Sequence, residues 1–100
     1  MEIIKYYHVN KGTLQSFITL KIPKWGGFII ENIGYFVKGD RRWINLPQQI
    51  HEDNGEKKYF SINRFEDPKV AKAFCDQVLK LIDEYVQKNN PEPIQQEIPF

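Results

Sequence analysis

The sequence predicts an α+β domain: a curved antiparallel sheet of about four to five strands followed by one long C-terminal helix, with an OB-fold-like barrel as the alternative. Three observations predict it. β-Branched and aromatic residues recur in short runs over the first 65 residues. Apolar spacing switches to steps of three and four after Asp67-Pro68. Most of the breaks between runs are short, which favours antiparallel neighbours, since parallel strands need a long crossover. With 100 residues, 41% of them hydrophobic, the chain suits one domain with one core. A core of that size buries a modest share of the surface, so pairing of two copies is a natural way to bury more.

The elements follow in order. Ile3 to Val9 is the first run and breaks at Asn10-Lys11-Gly12; Thr13 to Ile22 is the second and breaks at Pro23-Lys24-Trp25-Gly26-Gly27. Phe28 to Val37 ends at Lys38-Gly39-Asp40, and Arg41 to Leu46 leads into a break from Pro47 through Gly55 that contains the turn signal Asp53-Asn54-Gly55. Lys57 to Ile62 is the fifth run. Each break supplies Gly, Asn or Pro, the residues that accept positive φ or preset φ at a tight turn.

Asp67 then caps a helix whose first position is Pro68, where a missing N–H costs nothing. Val70, Ala71, Phe74, Cys75, Val78, Leu79, Leu81, Ile82, Tyr85 and Val86 give this helix a wide apolar face. A sheet needs a narrower stripe, so the surplus, represented by Phe74, Val78, Leu81 and Tyr85, is expected to meet the same helix of a second copy in a homodimer. Asn89-Asn90-Pro91 stops the helix. The chain therefore divides into a sheet-plus-helix domain over 1–89 and a flexible tail over 90–100, whose PEPIQQEIPF holds three prolines and no basic residue.

Alternation assigns strand residues to faces. In the second run Leu14, Ser16, Ile18, Leu20 and Ile22 form the core-like set and leave Phe17 and Lys21 outward; in the fourth, Ile44 and Leu46 point inward, leaving Arg41, Trp43 and Asn45 outward. In the fifth, Phe60 and Ile62 point inward, leaving Lys57 and Tyr59 outward with Arg64 just beyond. The third run does not choose, because Phe28, Ile30 and Phe36 are one apolar set and Ile29, Ile33 and Val37 another. Aromatic rings beside cations on a solvent-facing sheet suit single-stranded nucleic acid: bases stack on the rings while the cations follow the phosphates. Phe17, Lys21, Arg41, Trp43, Lys57, Tyr59 and Arg64 are the candidate contacts, and Trp25 in its turn is a further ring.

Charge supports this division. The formal net charge is only +1, but residues 1–65 hold ten Lys and Arg against six Asp and Glu, a net +4, whereas residues 66–100 hold four against seven, a net −3. A basic surface for a polyanion precedes an acidic segment with another task. An enzyme is not expected, because His8, His51 and Cys75 fall on separate elements with no nucleophile motif, metal-ligand spacing or phosphate-cradling loop. No cofactor is expected. The opening MEIIKYYHVN has no apolar centre of a secretory signal and no run approaches the roughly 20 residues of a membrane span, so the expectation is a cytoplasmic protein without a membrane partner.

The last residues, Glu97-Ile98-Pro99-Phe100, resemble the C-terminal tip of bacterial and phage single-stranded DNA-binding proteins. That resemblance implies a tail that docks replication, recombination and repair enzymes through Ile98, Pro99 and Phe100, in a bacterium or a phage-infected cell. The family's run of aspartates is replaced here by Gln95-Gln96-Glu97, which lowers the charge behind the tip. A second resemblance runs through residues 11–86: Leu14 to Leu20, Trp43-Ile44-Asn45-Leu46-Pro47, Asn54-Gly55 with Tyr59, and the helix from Ala71 to Tyr85 look like the layout of the stage V sporulation protein G family, and the order also looks like the positive-cofactor-four type of single-stranded DNA-binding domain. Both imply a dimer with a nucleic-acid-binding sheet. The expected function is thus sequence-tolerant binding of single-stranded DNA with enzyme recruitment by the tail. The alternatives are a sequence-specific DNA- or RNA-binding regulator and a small protein-interaction module.

Overall fold

The computed structural model describes residues 1–89; the tail and its tip, Ile98, Pro99 and Phe100, lie outside the described residues. Turn chemistry sets the strand pairing. Gly39, at φ +64°, opens a two-residue turn that brings Lys38 opposite Arg41, and Asn54 and Gly55, both at positive φ, bring Asp53 opposite Glu56. The strands are β1 (Glu2–Lys11), β2 (Leu14–Ile22), β3 (Phe28–Lys38), β4 (Arg41–Asn45), β5 (Gln48–Asp53) and β6 (Glu56–Ser61), with a 3₁₀ turn at Pro23–Trp25 and a closing helix α1 (Pro68–Asn89). The first four form one antiparallel sheet in the order β1-β2-β3-β4, while β5 and β6 form a separate two-stranded hairpin. The fold is α+β, and the sheet is open, with β1 and β4 as its edges, so the barrel alternative is set aside.

α1 covers one face of the four-stranded sheet. Val78 and Ile82 of the helix are fully buried against Ile18, Leu20 and Ile22 of β2 and Ile33 of β3. Each such side chain contributes about 1.5–3 kcal/mol by leaving water. The cap works as its residues suggest: an Asp67 carboxylate oxygen accepts the Lys69 N–H at 2.8 Å, and the Asp67 carbonyl accepts the Ala71 N–H at 3.0 Å.

The wide apolar stripe of α1 is met largely from within the chain. Val78 is wholly buried in a single copy, which corrects its expected place in a helix–helix interface. Phe74 packs on Phe65 with ring centroids 5.0 Å apart, and Tyr85 stacks on Tyr6 of β1 at 5.1 Å with the planes 12° apart. Leu81 lies at the margin of the same core. The loop before the helix and the edge strand thus flank it on two sides, so a stripe broader than one sheet contact still finds partners.

Bulges interrupt the alternation. Ile3 faces Leu20 and Lys5 faces Thr19, which leaves Ile4 as the extra residue of β1; Ile30 faces Leu20 and Ile33 faces Ile18, which leaves an extra residue in β3 at Glu31–Asn32, with Asn32 at φ +60°. A third bulge, at Gln15, corrects the face of Leu14: it stands opposite Phe36, whereas Ser16 stands opposite Tyr35 on the helix side.

β5 lies inside what the sequence reads as a long break. Its Gln48-Gln49-Ile50-His51-Glu52-Asp53 has little β-forming character, and it becomes a strand through the Asn54-Gly55 turn and pairing with β6. Phe60 and Ile62 are also corrected. They are 51% and 59% exposed, because among the described residues no layer covers the hairpin and makes one of its faces an inside.

Candidate nucleic-acid interface

Residues directly opposite on neighbouring strands share a face, so register settles what the uncovered side of the sheet carries. One row crosses all four strands as Tyr7, Phe17, Gly34 and Asn45. The next holds Leu14, Phe36 and Trp43, and Lys38 with Arg41 follows at the end of the β3–β4 pair. In the other direction come Lys5 with Thr19, then Glu2, Lys21 and Ile29. Four aromatic rings and four cations (Lys5, Lys21, Lys38, Arg41) therefore share the face that α1 leaves open.

The rings are held in place. Phe36 and Trp43 stack across β3 and β4 with centroids 5.5 Å apart and planes 5° from parallel. The Arg41 guanidinium stands 5.9 Å from the Trp43 ring centroid, a cation–π distance that keeps a positive charge beside the stack. Gly34 makes room for it: a β-carbon there would lie 2.7 Å from a ring carbon of Phe36 and 3.7 Å from Cδ1 of Leu14. The Phe36 ring thus lies close over bare backbone, as aromatic side chains do beside strand glycines. Tyr7 is 69% exposed and Phe17 36%, so each presents ring surface to solvent.

On the covered face, Arg42 of β4 reaches α1 and donates to both carboxylate oxygens of Asp83, at 2.6 and 2.8 Å, and to the Tyr35 hydroxyl at 3.4 Å. Its hydrogen bonds to Asp83 and Tyr35 raise the guanidinium above its usual range, and the bond from Arg42 holds the Asp83 carboxyl below the usual carboxylate range. The two adjacent arginines divide their work by strand parity: Arg41 faces the open side, and Arg42 fastens the edge strand to the helix.

Of the eight nucleic-acid contacts expected from sequence, the structure gathers Phe17, Lys21, Arg41 and Trp43 on the open face. It places the others elsewhere. Trp25, 59% exposed with its ring 6.0 Å from Phe28, lines a recess beside the N-terminal half of α1, because the 3₁₀ turn carries it past the end of β2 to the helix side. Lys57 and Tyr59 belong to the hairpin, and Arg64 lies on the segment after it, bordering Phe65, Ala71 and Phe74. Sequence reasoning missed Tyr7 and Phe36, whose strands carry apolar residues at both odd and even positions; the signals for Phe36 were the Gly34-x-Phe36 spacing and its register with Trp43.

Among the described residues no cluster of His, Cys, Asp or Glu could hold a metal ion, and no helix is long and apolar enough to cross a membrane. Compared with known proteins, the chain matches no family model, no curated protein and no solved structure.

Proposed function

We propose that this protein binds single-stranded DNA, without strong sequence preference, on the open face of the β1–β4 sheet. One observation carries the reading: Tyr7, Phe17, Phe36 and Trp43 share that face with Lys5, Lys21, Lys38 and Arg41. Each base stacked on such a ring contributes about 1–3 kcal/mol by alanine substitution, and every base has a face to stack. The cations supply the phosphate contacts that steer and hold the strand without reading it. An open sheet with surface rings is the kind of platform on which two or three splayed bases can lie. The tail then serves a second task, docking replication, recombination or repair enzymes through Ile98, Pro99 and Phe100, with the Phe100 ring in an apolar pocket of the partner. The protein acts as a homodimer.

Titration with poly-dT at two salt concentrations tests the reading. Binding with tryptophan quenching and a linear fall of log K with log salt is expected, with a slope near −0.7 for each phosphate contact. No binding at low salt, or binding indifferent to salt, overturns it. Preference for a duplex with a defined site replaces it by a sequence-specific regulator, and preference for RNA of the same length changes the nucleic acid but keeps the platform.

A further inference from the structure

The β5–β6 hairpin is the least explained part of the fold. On one face Ile50 stands opposite Tyr59, on the other Phe60 stands opposite Gln49 and packs edge-on against His51, and Ile62 follows at its base. These four apolar side chains are 51–59% exposed. An isolated two-stranded hairpin is at best marginally stable in water, so one with apolar side chains on both faces needs a cover. Nucleic acid is a poor cover: residues 48–61 hold Glu52, Asp53 and Glu56 against Lys57 and Lys58, a segment with no excess of positive charge.

The same chain offers a matching concavity. Beside the N-terminal half of α1, Met1, Ile22, Trp25, Val70, Ala73 and Phe74 line an open apolar recess. Trp25 at its rim is 59% exposed and Val70 47%. Among the described residues eleven large hydrophobic side chains are exposed, as many as the partly buried ones that pack on the six buried core residues, and the hairpin and the recess rim account for six of them. The recess carries Lys24, whereas at the hairpin tip Asp53 stands opposite Glu56 beyond the Glu52–Lys57 pair, so the two surfaces also differ in charge sign.

We propose that the hairpin of one copy seats in the recess of a second copy, and that the second copy's hairpin returns the contact about a two-fold axis. An exchange of this kind is isologous and closes at two chains. A cover needed whenever the chain is folded must be present whenever the chain is made, and a second copy meets that condition. This assigns Tyr59 and Lys57 to protein contact and leaves the open faces of both copies free. It is independent of the nucleic-acid reading, because its test reads mass.

Light scattering after size exclusion, at about 10 μM protein, is the test. The wild-type chain is expected at the mass of two chains. A hairpin variant (Ile50→Asp with Phe60→Asp) and a recess variant (Trp25→Ser with Val70→Asp), each checked for retained helix by circular dichroism, are expected at the mass of one. Mixed in equal amounts, they are expected to recover a dimer, since the intact hairpin of one fits the intact recess of the other. A monomeric wild type, a hairpin variant that stays dimeric, or a recess variant that stays dimeric while the hairpin variant does not, overturns the proposal. For a variant that loses its helix, crosslinking of a single cysteine placed at Gln49 of one copy to one at Gln77 of another, in an otherwise wild-type chain with Cys75→Ala, decides: a covalent dimer supports the exchange and its absence overturns it.

Discussion

Arg41 and Trp43 lie two residues apart on β4, and the Arg41 guanidinium sits 5.9 Å from the centroid of the Trp43 ring, whose other neighbour is Phe36 in a parallel stack at 5.5 Å. A cation, an indole and a phenyl ring thus form a short ladder along the edge of the open face. In the proposed reading, the ladder sets a cation for phosphate beside ring surface for bases, a prearrangement that would limit the ordering cost of binding.

Replacing Trp43 tests the stacking half of that ladder. Trp43→Ala is expected to weaken poly-dT binding by about 1–3 kcal/mol, roughly 5- to 150-fold, while Trp43→Phe keeps most of the affinity because the ring is retained. Anisotropy of a labelled oligonucleotide is the suitable readout, since Trp25 contributes fluorescence of its own. Equal losses in the two variants would mean that the indole is not a platform.

Gly34→Ala tests the support beneath the rings. The new β-carbon would meet the Phe36 ring at 2.7 Å, so the ring must move and the stack on Trp43 must open. A stability loss of about 1 kcal/mol is expected, seen as a fall in midpoint of roughly 4–8 °C, together with weaker poly-dT binding and an altered near-ultraviolet circular dichroism spectrum. Unchanged near-ultraviolet bands would show that the ring was not seated on the glycine.

The Arg42–Asp83 pair predicts an acid limb of stability. Asp83 titrates lower in the folded chain than in the unfolded one, so its contribution is present above the unfolded carboxylate value of about 3.9 and is lost as pH falls through the folded value. Both side chains are partly exposed, 36% and 55%, so screening keeps the pair to about 1 kcal/mol or less. Asp83→Asn should lower the unfolding midpoint at pH 7 and leave little difference from wild type near pH 2. Denaturant unfolding at the two pH values checks it.

Removing Ile98, Pro99 and Phe100 separates the two proposed tasks. Binding of poly-dT should be unchanged, and recovery of replication or repair enzymes from a bacterial lysate on immobilised protein should fall to background. If recovery persists without the three residues, the tail reading is wrong.

Much of the architecture was legible because local chemistry and pattern agree. Asp67-Pro68 opens the helix, Gly39 and Asn54-Gly55 make the turns, and Ile18, Leu20 and Ile22 alternate into the core. Sequence and structure part where a strand's odd–even count breaks, or where no layer among the described residues defines an inside. Leu14 left its expected face through the bulge at Gln15. Phe36 could not be placed because β3 is apolar on both parities until register with β2 and β4 is known. Tyr59 and Lys57 are exposed, but so are their neighbours, because they belong to a hairpin rather than to the main sheet, a fact of long-range pairing that no local pattern carries. The helix stripe is as wide as its sequence suggests, yet it is met by Tyr6 from the far end of the chain and by Phe65 from the loop just before the helix.

The bulges at Ile4 and at Glu31–Asn32 flank the same residue, Thr19 of β2, and so both neighbours of the central strand change phase along one line across the sheet. Had β1 continued in phase with Ile3, Tyr7 would lie beneath the helix; had β3 continued in phase with Ile30, Gly34 and Phe36 would lie there too. The phase change moves three of the residues that build the aromatic platform into the company of Phe17 and Trp43, and confines that platform to the half of the sheet near the β3–β4 turn. Four strands at about 4.8 Å spacing make a row roughly 14 Å across, which sets the footprint available on one copy.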